Sequence, residues 1–81
     1  MLITAQIRAA RAMLRWTIED LSRQTGTSVR TIIRIESADG IPSAHAQTLA
    51  GIQTALEAAG IEFIGSPTDA PGVRLRRPPA G

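Results

Sequence analysis

The side chains best suited to chemistry in this sequence are arginines spaced around short apolar runs. Arg30 and Arg34 stand four residues apart, which on a helix places both guanidinium groups on one face, a turn from each other. At about 100° per residue, Val29, Arg30, Ile33 and Arg34 share that face, while Thr31, Ile32 and Ile35 turn to the other. A guanidinium is a planar fork of donors that matches a phosphate or the O6/N7 edge of guanine. Exposed Val29 and Ile33 suit thymine methyl groups. A merely solvated helix could carry the same arginines, but it has no use for Ile33 between them. The face is therefore fitted to the major groove of a duplex.

The elements that must position this face precede it. Thr17 is an N-cap, and Asp20 three residues on completes a capping box for a helix over residues 18–24, which buries Leu21. Trp16 and Leu21 occupy the positions of a hydrophobic staple. Gly26 supplies a positive φ that ends this helix, and Ser28 caps the next, over residues 29–36. Two short helices joined by a glycine turn form a helix-turn-helix candidate. Before it, Thr4 can cap a helix from Ala5 to about Leu14, with Ile7, Ala10 and Leu14 on its apolar stripe. After it, SADGIPS breaks the helical period. Pro42 and Ser43 then open a helix over residues 44–59, with Leu49, Ile52 and Leu56 turned inward and Gly60 past its end.

Beyond Gly60 the pattern changes. IEFI (61–64) and VRLR (73–76) have strand composition and flank GSPTDAPG, so they read as a β-hairpin or as two strands that pair elsewhere. A lone two-stranded hairpin is marginal in water, and Ile61, Phe63, Val73 and Leu75 are expected to pack across a dimer. The alternative is a hairpin folded back on its own fourth helix. The expected organisation is a DNA-binding unit over residues 1–60, a hairpin and dimerisation extension over 61–76, and a disordered tail over 77–81. The fold class is mainly α, four helices followed by the strand pair.

Charge sharpens this picture. The net charge is only +2 over 81 residues, but residues 1–36 hold six arginines against Glu19, Asp20 and Glu36. Residues 37–72 hold Asp39, Glu57, Glu62 and Asp69 with no base, and Arg74, Arg76 and Arg77 follow. Basic helices thus lead an acidic middle. The absence of lysine has a simpler source in genome base composition. There is no cysteine, so no disulfide is available, and ligands are too scattered for a metal site. No apolar run reaches the roughly 18 residues of a membrane span, and the N-terminus lacks the pattern of a signal peptide. A cytoplasmic protein without cofactor is expected. His45 is the one histidine, and nothing groups it with a serine and an acid as a triad, so an enzyme is not expected.

Arg11, Trp16-Thr17, Leu21, Gly26, Ser28, Thr31-Ile32 and Ile35-Glu36 together resemble the Cro/repressor-type helix-turn-helix regulators. This is the xenobiotic-response-element family, with its lambda-repressor-like fold. The resemblance covers residues 4–60. It implies an ion pair between Arg11 and Glu36, and base contacts from Ser28, Val29, Arg30 and Arg34, to which the helical face adds Ile33. It also implies phosphate contacts around Thr17 and Ile18 at the start of the second helix, with Arg15, Thr31, Ser43 and His45 as further candidates. Two positions depart from the family pattern. Ile18 stands where glutamine or serine is usual, which removes a side-chain phosphate bond. Arg15 stands where glycine is common, which adds a cation but strains the backbone if φ must be positive.

The resemblance implies a homodimeric regulator that binds a pseudo-palindromic operator in duplex DNA, and from the small size of the chain no small-molecule effector is expected. An antitoxin or adaptor that uses the same fold chiefly to bind a partner protein is the alternative.

Overall fold

The computed structural model describes residues 2–40, 42 and 44–76. Four helices come first: α1 (Thr4–Leu14), α2 (Ile18–Thr25), α3 (Val29–Ser37) and α4 (Ala46–Ala58). A hairpin of β1 (Ile61–Ser66) and β2 (Asp69–Leu75) follows. Ser43 and the tail from residue 77 lie outside the described residues.

The helix starts follow their caps. Thr17 accepts the Asp20 N–H at 3.0 Å and donates its own N–H to the Asp20 carboxylate at 2.8 Å, so both halves of the capping box close. Ser28 accepts the Thr31 N–H at 3.2 Å and starts α3. α1 differs from expectation. Its N-cap is Ile3, whose N–H donates to Gln6 Oε1 at 3.0 Å. Thr4 lies inside the helix and is buried; its hydroxyl donates to the Ile35 carbonyl at 3.1 Å. A buried hydroxyl must find an acceptor, and the C-terminal turn of α3 has carbonyls to spare. α4 starts at Ala46, two residues later than its alanine-rich sequence suggests.

Among the described residues one core joins the helices and the hairpin. Ile7, Ala10 and Leu14 of α1 meet Leu21 of α2, Ile32 and Ile35 of α3, Ile52 and Leu56 of α4, and Ile61 of β1. Removing a side chain such as Leu21 from this set typically costs about 2–5 kcal/mol. Trp16, Ile18 and Leu49 pack at its margin.

The hairpin belongs to this core. α1 packs under β2 and α4 under β1. Ile61 pairs with Leu75, and Phe63 with Val73. Ile61 is 2% exposed, and Phe63, Val73 and Leu75 are half-buried against the same cluster. Ile61, expected to face a second subunit, is thus a core residue of its own chain. Gln6 secures the arrangement. Its Nε2 donates to the Ile64 carbonyl at 3.2 Å and to the Gly72 carbonyl at 2.9 Å, tying both strands to α1.

The strands run further into GSPTDAPG than expected. Ser66 pairs with Asp69 around a turn at Pro67-Thr68, and the register shifts between Ile64 and Ser66. The shift leaves Ala70 and Pro71 opposite Gly65, a bulge with Ala70 at φ 52°. Gly65, at φ 76°, is required there, because a Cβ would lie 2.1 Å from the Ala70 carbonyl oxygen. The bulge also admits Pro71, which an unbroken central ladder would not.

Candidate nucleic-acid interface

α2, the turn at Gly26 and α3 form the helix-turn-helix. Gly26 takes φ 74° and closes α2. Ser22 donates its hydroxyl to the Thr27 carbonyl, and Thr25 Oγ1 accepts the Thr27 N–H. Two side chains, Ser22 and Thr25, thus tie the Thr27 backbone across the turn. α3 leaves it with Ile32 and Ile35 fully buried and Arg30, Ile33 and Arg34 exposed. Ile33 is 48% exposed, one of two large apolar side chains that solvent reaches to this extent among the described residues; the other is Met13 on α1. Val29 is half-buried at the edge of the same face.

The far end of α3 is fixed by α1. Arg11 Nε and Nη2 fork onto the two Glu36 carboxylate oxygens at 2.9 and 2.8 Å. Its Nη1 donates to the Trp16 carbonyl at 3.0 Å, which ties the α1–α2 turn to the same cation. Glu36 is 7% and Arg11 23% exposed. The hydrogen bond to Glu36 raises the Arg11 pKa, so the cation is permanent. Arg8 Nη1 donates to the Glu36 carbonyl at 2.8 Å, and Thr4 to that of Ile35. Three α1 side chains thus hold the C-terminal turn of α3, and they set the angle at which its outer face is presented.

The remaining candidates divide by how free they are. Thr17 and Asp20 satisfy each other, and Arg23 is paired with Asp20. Ser28 donates its hydroxyl to Thr31 Oγ1 at 2.9 Å while capping α3, so these two serve each other first. Ile18 turns toward the core, which leaves only backbone N–H groups at the start of α2 to meet a phosphate. His45 is the exposed N-cap of α4 and makes no side-chain cap bond.

Arg15 closes α1 in the left-handed region, at φ 59° and ψ 33°. Its N–H bonds to Ala12 and that of Trp16 to Arg11, the two bonds of a Schellman end. Its guanidinium is exposed and has no acidic partner among the described residues.

Sequence reasoning passed over Thr4, Gln6 and Arg8 as structural ties. Gln6 did carry a signal: it lies one turn before Ala10 and two before Leu14, on the buried stripe itself. Arg8 carried none, since its partner is a backbone carbonyl that a sequence does not display.

No helix among the described residues is long and apolar enough to cross a membrane, and no group of three potential metal ligands occurs there. No curated protein matches the chain. Residues 7–46 match the helix-turn-helix family, from within α1 to the first residue of α4. This family is typically non-enzymatic. By that match and this geometry, the chain carries a DNA-binding helix-turn-helix domain of the Cro/C1 type, in the xenobiotic-response-element family.

Proposed function

We propose that the protein is a cytoplasmic transcriptional regulator that recognises a pseudo-palindromic operator as a homodimer, with α3 of each protomer in a major groove. The observation that carries this reading is the outer face of α3. Arg30 and Arg34 are exposed and unpaired among the described residues, with Ile33 open between them. Arg30 lies in the first turn and reaches base edges; Val29 and Ile33 meet thymine methyls; Arg34 reads a guanine or holds a phosphate at the far end. Ser28 and Thr31, already bonded to each other, contribute through what capacity remains. Phosphate contacts come from Arg15, the first N–H groups of α2, and His45 and Ser43 ahead of α4, and they make binding salt-dependent.

Selection of sites from random duplex DNA, followed by binding at several salt concentrations, tests the proposal. An enriched two-fold motif with half-sites about 34 Å apart is expected. In that site Arg30→Ala should cost about 1–3 kcal/mol and relax preference at one base pair. No enriched motif together with a flat salt dependence refutes the reading, and would favour a role confined to a protein partner.

A further inference from the structure

Among the described residues the sheet has two strands, so each strand of the hairpin presents one edge with no further strand on it, and the two edges are not equivalent. Arg76 donates its N–H to the Gly60 carbonyl at 2.9 Å. Hydrogen-bonded pairs alternate along an antiparallel ladder. With Glu62 opposite Arg74 and Ile64 opposite Gly72, those residues turn their backbone groups toward the other strand. Ile61 and Phe63 therefore turn theirs away from β2, and Val73 and Leu75 turn theirs away from β1. Each edge is a template for a further strand unless something blunts it.

β2 is blunted against its own copy. A two-fold pairing centred on Val73 sets Leu75 against Pro71, which has no N–H to give. Centred on Arg74 it opposes two arginines, and centred on Leu75 it sets Arg74 against Arg76. Like charges directly opposite are destabilising. β1, IEFIGS, has neither proline nor basic residue. Its one charge, Glu62, is neutralised within the chain by Arg74 at 3.4 Å and Arg76 at 3.8 Å. Centred on Phe63, β1 sets Glu62 against Ile64 of the partner subunit, and no like charges meet. Phe63, half-buried in the single chain, then continues an apolar inner face across the axis.

We infer that the β1 edge is the homodimer interface, two copies joining antiparallel about Phe63 into one four-stranded sheet in the order β2-β1-β1-β2. The inference rests on the DNA-binding reading only in that a two-fold operator calls for two reading helices. It takes a second copy as the occupant because the strand is self-complementary in one register and its rival edge is not. The dimer thus pairs backbones, and Ile61 takes part through its N–H and C=O while its side chain stays in its own core.

The test measures self-association without DNA, by sedimentation equilibrium of the full-length chain. Helical circular dichroism confirms that each variant is folded. N-methylation of Phe63, introduced by chemical ligation, removes one outward donor and obstructs the edge without altering the side chain; it should yield monomers. The same modification at Val73 should leave the dimer intact. On the outer face, Ile64→Lys should tighten the dimer and Ile64→Glu should weaken it, each by about three- to tenfold, since position 64 faces Glu62 of the partner subunit. A merely structural role for Ile64 would move both variants the same way. A wild-type monomer, a dimer that survives N-methyl Phe63, or dissociation by N-methyl Val73 overturns the inference. Operator binding by a chain that fails these tests would leave the DNA-binding reading standing, so the two failures are distinguishable.

Discussion

Arg15→Gly should make the protein more stable and a weaker DNA binder. Arg15 sits at φ 59° and ψ 33°, where an L-residue typically loses about 1–2 kcal/mol to the contact between its Cβ and the backbone. Glycine removes that cost. It also enlarges the entropy of the unfolded chain, which gives back about 0.4–1 kcal/mol. No packing or ion pair is lost, because the guanidinium is exposed and has no acidic partner among the described residues. The net gain lies between about 0 and 1.6 kcal/mol, and its midpoint of about 0.8 kcal/mol corresponds to roughly 3–6 °C in Tm for a domain of this size. Thermal melts measure the first half of the prediction. The second half is a binding titration against salt at the selected operator. If Arg15 holds one phosphate per protomer, its loss reduces the slope of log K against log salt by about 0.9 for each contact removed. A lower Tm would refute the strain argument. A higher Tm with an unchanged salt slope would retain the strain and remove Arg15 from the interface.

Three other perturbations probe the frame that holds α3. Arg11→Ala leaves the Glu36 carboxylate buried without its fork, and urea denaturation should show a loss of about 3–5 kcal/mol; Arg11→Met with Glu36→Leu together should recover most of it. Gln6→Leu leaves the Ile3 N–H without its acceptor and cuts the tie from α1 to the Ile64 and Gly72 carbonyls, so about 1–3 kcal/mol is lost. Amide exchange should quicken first in β1 and β2. The Thr17 N–H, followed by the Thr17 hydroxyl and the nearby Arg23 charge, holds the Asp20 carboxyl below its ordinary value. Its stabilising effect is therefore complete above the ordinary aspartate range, near pH 4, and is lost as pH falls through the lower folded value. Asp20→Asn should flatten that part of the stability–pH profile and leave neutral pH dependence unchanged.

What the sequence displays well is what depends on local geometry. The box of Thr17 and Asp20, the glycine at 26, the cap at Ser28 and the opposition of Ile32 and Ile35 to Arg30, Ile33 and Arg34 all follow from period and capping chemistry. Each involves residues within a few positions of one another. The ties that cross the chain are another matter. Thr4 reads as a cap because caps are local, yet its hydroxyl goes to Ile35, 31 residues on. Gln6 reaches Ile64 and Gly72 over separations of 58 and 66 residues. The Arg11–Glu36 pair is visible only through resemblance, for nothing in the spacing of two charges 25 residues apart says that they meet. The hairpin shows both sides of this division. Its strands are evident from composition, but their length depends on a bulge that lets Pro71 enter the ladder, and their burial depends on α1.

These cross-chain ties explain why a domain with a modest net charge can still present a committed basic face. Of the six arginines in residues 1–36, three are engaged inside the protein: Arg8 and Arg11 on Glu36, and Arg23 on Asp20. Arg15, Arg30 and Arg34 remain, exposed, at the end of α1 and along α3. The engaged arginines do not add to affinity directly; they hold the frame on which the free ones are displayed. Of the four acids of the middle segment, Glu57 lies on α4 and Glu62 on the outer face of the hairpin, where it is tied to Arg74 and Arg76. Charge count alone is therefore a poor guide here. A substitution at Arg8 should lower affinity by loosening the C-terminal turn of α3 while leaving the salt slope intact, whereas one at Arg15 should change the slope. That difference separates arginines that build the reading head from those that touch the polyanion.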